Sequence, residues 1–317
     1  MKVLITGLTG FVGKNLLATF KEETLEIVTI SRRASPQLNG VHSDCIFRGT
    51  LSDKESLEPA FEGVDVVVNI AAELKDEDQF VKTNIDGVRN IIELSKRHGV
   101  KRIVHLSSVG VVGMQYSDSP VIVDETFQCA PKNNYERTKL ESERILLTEW
   151  SDDPKRITIL RPTNVFGEQH PRKALLNYFT KVSAGTRFYS TQHAMVNYVY
   201  VADLAHVIRH FIFNSGAHCI YNVGNAMTFK SFHAESAKAI RTTPVYTATG
   251  KWIFKCASFF GYLGSASLKS AMQTLSNEVV YTEDRLRKEF PQIVKSGVVQ
   301  GVCNTIEDYR KLKLLGQ

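Results

Sequence analysis

The sequence predicts an α/β fold, a Rossmann-type doubly wound parallel sheet with a smaller C-terminal α/β substrate-binding part. Three observations carry this. Up to residue 165, short β-branched runs alternate with longer helical patterns, as in a chain of βαβ crossovers. The short runs are almost continuously apolar, as strands covered on both faces are. And three glycines stand where the first run gives way to the first helical pattern.

Taken in order, the strand candidates are Lys2–Thr6, Leu25–Ile30, Cys45–Phe47, Val64–Ile70, Arg102–Ser107 and Ile157–Arg161. Helical patterns lie between them near Phe11–Glu22, Lys54–Phe61, Phe80–His98 and Tyr135–Glu149. Beyond Pro162 the pattern breaks into shorter pieces, and no Gly/Ser-rich linker marks a boundary. Residues 1–165 are therefore expected to form a dinucleotide-binding domain, and 166–317 a substrate-binding part interleaved with it. Neither an internal repeat nor a low-complexity tract is present.

Composition narrows the class. The 317 residues are 43% hydrophobic and 23% charged, enough for a full globular core. No run of about 18 uncharged apolar residues occurs, and Met1 and Lys2 lead straight into a strand pattern, so no transmembrane segment and a cytoplasmic location are expected. The five cysteines Cys45, Cys129, Cys219, Cys256 and Cys303 have no short repeated spacing, which argues against a metal site or a disulfide framework. The formal charge of +6 is dispersed and forms no basic block. Nucleic acid is thus not an expected partner, whereas an anionic small molecule is.

The glycine turn reads Val3-Leu-Ile-Thr-Gly7-Leu-Thr9-Gly10-Phe11-Val12-Gly13. Side chains at its glycines would collide with the turn, with a pyrophosphate or with the strand packed on the helix. A strand before and an amphipathic helix after supply the context this motif requires. After the fourth strand, the small Ala71 and Ala72 let the chain pass under the adenosine side of a dinucleotide. Leu51 follows the third strand, where such folds enclose the adenine.

Chemistry is concentrated further along. The fifth strand ends in Ser107 and Ser108, two hydroxyls at the carboxyl edge of the sheet, where open α/β folds bind ligands. Tyr135 and Lys139 then stand four apart on one helical face. A phenol titrates near about 10, and an adjacent ammonium draws that value toward neutrality by favouring the phenolate. A seryl hydroxyl would hold the substrate oxygen while the tyrosine moves the proton.

In this order, these motifs resemble the short-chain dehydrogenase/reductase superfamily, and within it the extended branch of nucleotide-sugar epimerases, dehydratases and reductases. The resemblance spans nearly the whole chain. It takes in Asn84-Ile-Asp-Gly87-Val-Arg-Asn90, Arg161-Pro162-Thr-Asn164-Val-Phe-Gly167, Tyr198-Val-Tyr-Val-Ala-Asp203 and Thr305-Ile-Glu-Asp-Tyr309. It implies that Ser108, five residues before Gly113, is the catalytic hydroxyl, and that Tyr135 is the general acid/base. It also implies that Lys139 lowers the tyrosine pKa and binds the cofactor ribose, with Tyr135 and Pro162 beside the same cofactor. Asn84 is the helix position that aligns lysine and a water in relatives; a plain helix-face hydrogen bond is the alternative. Asn164 matches a substrate-binding asparagine, which favours a nucleoside-diphosphate sugar. Against that, Val196 stands where many UDP-sugar enzymes carry an arginine for the diphosphate. A homodimer is implied through the helices of Asn84 and Tyr135, with Val88, Ile91, Ile92 and Leu94 as apolar surface.

For the cofactor, NADP(H) is favoured and NAD(H) remains possible. The second strand ends in Ile30-Ser31-Arg32-Arg33 with no Asp or Glu between Glu26 and Asp44. An NAD site usually places a carboxylate there, and guanidiniums suit a 2′-phosphate. The alternative is that Arg32 and Arg33 point into solvent or stack on the adenine. The apolar stretch 251–263 is read as a packed helix, a subunit interface, a hydrophobic pocket wall or a membrane contact. Two other functions stay open beside nucleotide-sugar chemistry. One is a reductase for a lipophilic alcohol or ketone, sterol-, flavonoid- or quinone-like; the other is a non-catalytic dinucleotide-sensing or assembly subunit on the same fold.

Overall fold

The structure, a computed structural model, describes residues 1–20, 25–33, 38, 41–113, 116–117, 119–170, 173–253, 273, 275–293 and 295–315. Its first half runs β1 (Lys2–Thr6), α1 (Phe11–Leu17), β2 (Glu26–Ser31), β3 (Ile46–Arg48), α2 (Lys54–Leu57), β4 (Val66–Asn69), α3 (Gly87–Arg97), β5 (Arg102–Leu106), β6 (Val121–Val123), α4 (Asn134–Glu149) and β7 (Ile157–Pro162). The expected elements are all present. The helix drawn from Phe11 to Glu22 stops at Leu17, and the end of that reading, residues 21–22, lies outside the described residues.

Seven parallel strands form the central sheet in the order β11-β7-β5-β4-β1-β2-β3, with β11 spanning Ile220–Val223. The order reverses beside β1, which opens a crevice at the strand ends. Both faces are covered. On one, Leu16 of α1 and Leu204, Ile208 and Phe211 of α6 (Val201–Phe213) pack on Val3, Ile5 and Val68. On the other, Leu57, Ile91 and Leu146 of α2, α3 and α4 pack on Leu4, Val67 and Ile103. Residues alternating along each strand thus face two cores, which is why the runs are nearly continuously apolar. Strand β11 and helix α6, from the second half of the chain, belong to this sheet and its layer.

A third core gathers Phe166, Phe179, Tyr200, Phe232 and Ile306 around the small sheet β12-β10-β8 (Asn225–Thr228, Met195–Tyr200, Asn164–Phe166). Val196 sits in this core, 6% exposed, so it offers the cleft no polar handle. Among the described residues, no helix is long and apolar enough to cross a membrane. Most of the apolar stretch, residues 254–263, lies outside the described residues; before it, Trp252 and Ile253 are exposed.

The apolar surface offered for a partner subunit requires correction. Val88, Ile91, Ile92 and Leu94 are all buried within the chain, between the sheet and α4. The outward groove between α3 and α4 is instead lined mainly by Arg89, Glu93, Lys96, Glu141, Arg144 and Glu149.

Candidate active site

A cleft of about 500 Å³ opens at the carboxyl ends of β1, β2, β4, β5 and β7. The glycine turn forms its floor. Gly7 has φ +74°, a conformation that disfavours a side chain, and a Cβ there would stand 2.8 Å from the Ala71 backbone nitrogen. Gly13 does not line the cleft: a Cβ on it would come within 2.4 Å of the Gly7 carbonyl oxygen, so its glycine lets helix and turn close on each other. Gly7, Thr9, Gly10, Phe11 and Val12 line the cleft, as do Leu51, Ala71, Ala72 and Pro162.

Beneath the floor, Thr6, Asn69 and His105 form a buried polar row across the tips of β1, β4 and β5. Thr6 Oγ1 donates to Asn69 Oδ1 at 2.6 Å, the Ala71 N–H donates to Thr6 Oγ1 at 3.2 Å, and Asn69 Nδ2 meets His105 Nδ1 at 3.1 Å. Burial, with Lys139 nearby, pushes the His105 pKa well below its usual value, so the row carries no charge near neutrality.

One wall of the cleft is built by α4 and the end of β5. Asn133 caps α4 by accepting the Glu136 N–H at 2.9 Å, which starts the helix at Asn134 and carries Tyr135 and Lys139 to the cleft. Lys139 is 3% exposed, and its ammonium donates to the Leu106 carbonyl at 2.7 Å. Burial pulls its pKa down to about 8, against the opposing charge of Glu143. Glu143, one turn further along, is held by Arg161 of β7 through two hydrogen bonds of 2.9 and 2.6 Å, which ties α4 to the sheet. Tyr135 is half-buried and packs edge-on against Phe80 at 6.1 Å between ring centres.

Both serines line the cleft. Ser108 Oγ accepts the Gly110 N–H at 3.0 Å, which orients it; Ser107 Oγ is buried with no hydrogen-bond partner among the described residues. That orphaned hydroxyl, the close backbone approach that Gly7 and Gly10 allow on the floor and the buried ammonium fit a nicotinamide dinucleotide lying along the cleft.

Three expected site residues have different surroundings from those the sequence suggested. Asn84 lies in a π-helical stretch, Val81–Asp86, ahead of α3, and does not line the cleft. Its amide accepts the Glu73 N–H at 2.8 Å and donates to the Glu73 carbonyl at 3.2 Å and to Thr138 Oγ1 at 3.1 Å, while its carbonyl accepts Ser142 Oγ at 2.5 Å. No hydrogen bond joins it to Lys139; it straps the Glu73 loop to the catalytic helix. Arg33 is exposed and outside the cleft, whereas Arg32 lines it. Asn164 lines the cleft but donates to the Asn197 carbonyl at 3.1 Å.

Glu73 and His170 are among the cleft residues that escaped the sequence reading. Glu73 immediately follows Ala72, and its Oε2 stands 3.9 Å from Arg32. Although burial works against it, hydrogen bonds from three backbone N–H groups hold its pKa below the usual carboxylate range. His170 lies edge-on to Phe11 at 4.7 Å. The first had a legible signal in its position after the alanine pair; the second had none.

Residues 3–224 match the model of the NAD dependent epimerase/dehydratase family. The chain belongs to that family, and with it to the extended short-chain dehydrogenase/reductases. Among curated relatives, N-acetyl-alpha-D-glucosaminyl-diphospho-ditrans,octacis-undecaprenol 4-epimerase of Escherichia coli O157:H7 is 29% identical over 233 residues, covering 69% of this chain and 66% of that protein. Sterol demethylase protein B of Methylococcus capsulatus is 30% identical over 182 residues, covering 56% and 55%. The chain thus spans just under two thirds of the first and about half of the second. Among solved structures, the Thermus thermophilus UDP-glucose 4-epimerase complex with NAD has a TM-score of 0.70 at 23% identity, covering 98% and 99% of the two chains. The Bordetella bronchiseptica enzyme WbmG with NAD reaches 0.74 at 21% identity, covering 99% and 96%. At these identities the two structures speak for the fold.

Proposed function

We propose that this protein is a nicotinamide-dependent epimerase or reductase that acts at a carbinol carbon of a nucleoside-diphosphate sugar. The observation that carries the reading is the convergence of Ser108, Tyr135 and Lys139 on one wall of a cleft floored by the glycine turn. The bound dinucleotide would supply the acceptor and donor of hydride. Ser108 holds the sugar oxygen, and the Tyr135 phenolate takes the proton of the substrate hydroxyl as the C–H hydride leaves; the resulting phenol returns it in the reverse step. The Lys139 ammonium stabilises the phenolate and reaches the nicotinamide ribose. NADP(H) is the favoured cofactor through Arg32, with NAD(H) accepted, and Asn164 would release the Asn197 carbonyl to meet the sugar nucleotide.

The test is incubation with NAD⁺ or NADP⁺ and a panel of UDP- and dTDP-sugars, followed by chromatography of the products. Epimerised, oxidised or dehydrated sugar nucleotide is expected. Dinucleotide binding without turnover of any panel member would turn the reading toward the second candidate, a lipophilic or lipid-linked substrate. That candidate draws on the polyprenol-linked substrate in the first relative's name and on the apolar Val196. Binding with no turnover of either class would leave a sensing subunit.

The same reading includes a homodimer through α3 and α4. Since the outward groove carries charges of both signs, its pairing should weaken with salt. A monomer mass by light scattering at micromolar concentration and low salt would remove it.

A further inference from the structure

The adenosine end of the cleft contains an acid that the second strand does not supply. In the sheet, β1 lies between β4 and β2. Arg32 follows β2 and Glu73 follows β4, so their ion pair at 3.9 Å reaches across the tip of β1, above the glycine turn. The two partners are unequally held. The Arg32 side chain is 78% exposed, and that of Glu73 only 18%. Glu73 Oε1 accepts the N–H groups of Leu74, Lys75 and Asp76 at 3.1, 3.1 and 3.4 Å, which leaves Oε2 toward Arg32. Asn84 clasps the Glu73 backbone through both its N–H and its carbonyl. The carboxylate is therefore the fixed member, and the guanidinium is the one free to turn.

We propose that Glu73 is a specificity-determining residue that restrains the preference for NADP(H) by holding Arg32, and so keeps NAD(H) usable. This rests on the reading above that Arg32 meets the adenosine ribose. A 2′-phosphate has to draw Arg32 away from Glu73 and then stand close to a carboxylate; a 2′-hydroxyl has to do neither. The arrangement differs from an acid at the end of β2 because Glu73 acts through the arginine it pairs with.

The experiment measures dissociation constants of NAD⁺ and NADP⁺ by calorimetry for the wild type, Glu73→Gln, Arg32→Ala and the double variant, at low and high salt. Glutamine keeps an acceptor for the backbone N–H groups but removes the charge. NADP⁺ should bind Glu73→Gln about twofold to fivefold more tightly than wild type, the range of one exposed ion pair, with NAD⁺ affinity unchanged. That gain should shrink as salt rises and vanish when Arg32 is already alanine. Should Glu73→Gln fail to fold, as judged by its melting curve, Glu73→Asp replaces it and should give part of the same gain by shortening the reach to Arg32. An unchanged NADP⁺ to NAD⁺ ratio in these variants, together with a changed ratio in Arg32→Ala, overturns the inference and leaves the cofactor site standing. Failure of the wild type to bind either dinucleotide overturns both.

Discussion

The two ends of the cleft are built on opposite plans. At the catalytic end, Lys139 is buried, donates to a backbone carbonyl and sits on a helix that a buried Arg161–Glu143 pair ties to the sheet. At the adenosine end, Arg32 is mostly exposed and its partner Glu73 comes from a different loop. Electrostatic effects are large where water is excluded and small where it is not, so the first end should respond steeply to substitution and the second gently. On the proposed function, chemistry would lie where geometry cannot drift, and cofactor choice where a single side chain can re-tune it.

The steepest test of this contrast is Tyr135→Phe. Turnover is expected to fall to below about a tenth of wild type, with dinucleotide affinity kept within a few-fold, because only the proton-carrying hydroxyl is lost. A Phe variant retaining more activity than that would strip Tyr135 of its assigned role. Lys139→Met should remove most turnover and weaken dinucleotide binding together. It also deletes a buried ammonium whose hydrogen bond runs to the Leu106 carbonyl, so the melting temperature should stay level or rise. A variant that melts earlier but binds cofactor normally would reverse both halves of that account.

The pH dependence is the next largest effect. With the Lys139 pKa brought down to about 8, the ammonium is present below that value and lost above it. Activity should therefore fall as pH rises through about 8 rather than near the usual lysine value of about 10.4. The sign for stability is opposite. Since the folded pKa is depressed, the folded protein binds fewer protons than the unfolded chain between the two values, and this group's contribution to stability rises with pH across that window. A pH profile flat to above 9 would show that bound cofactor or substrate restores the lysine to its ordinary range.

Smaller still, Arg32→Ala should weaken NADP⁺ by about tenfold, near 1.4 kcal/mol, and NAD⁺ much less. The Arg33→Ala substitution now serves as the control. Arg33 lies outside the cleft and is exposed, so its replacement should shift both dinucleotides equally and slightly. Equal losses of the two cofactors in Arg32→Ala would end the phosphate reading of this end.

Much of the catalytic end was legible in the residues because it is local. A capped helix carries Tyr135 and Lys139 to one side by its own period, and the two serines follow the last residue of a strand. The central parallel sheet was legible for the same kind of reason: strands covered on both faces are apolar at most positions, and that pattern survives in one dimension. Gly7 and Gly13 could be named but not told apart, since the first lines the cleft and the second only allows the turn to close on its helix.

What the sequence by itself determined, then, is the alternation of strands and helices, the glycine turn and the order of the candidate site side chains Ser108, Tyr135 and Lys139. Each of these follows from contacts within a few residues. Tertiary structure alone decided which residues share an edge. It placed Glu73 against Arg32 across 41 residues of chain, turned Asn84 from the lysine toward Glu73, Thr138 and Ser142, and buried Val88, Ile91, Ile92 and Leu94 inside the chain. The physical reason is the sheet order: β1 brings the ends of β2 and β4 to within an ion pair of one another, and no local period records which strands will be neighbours.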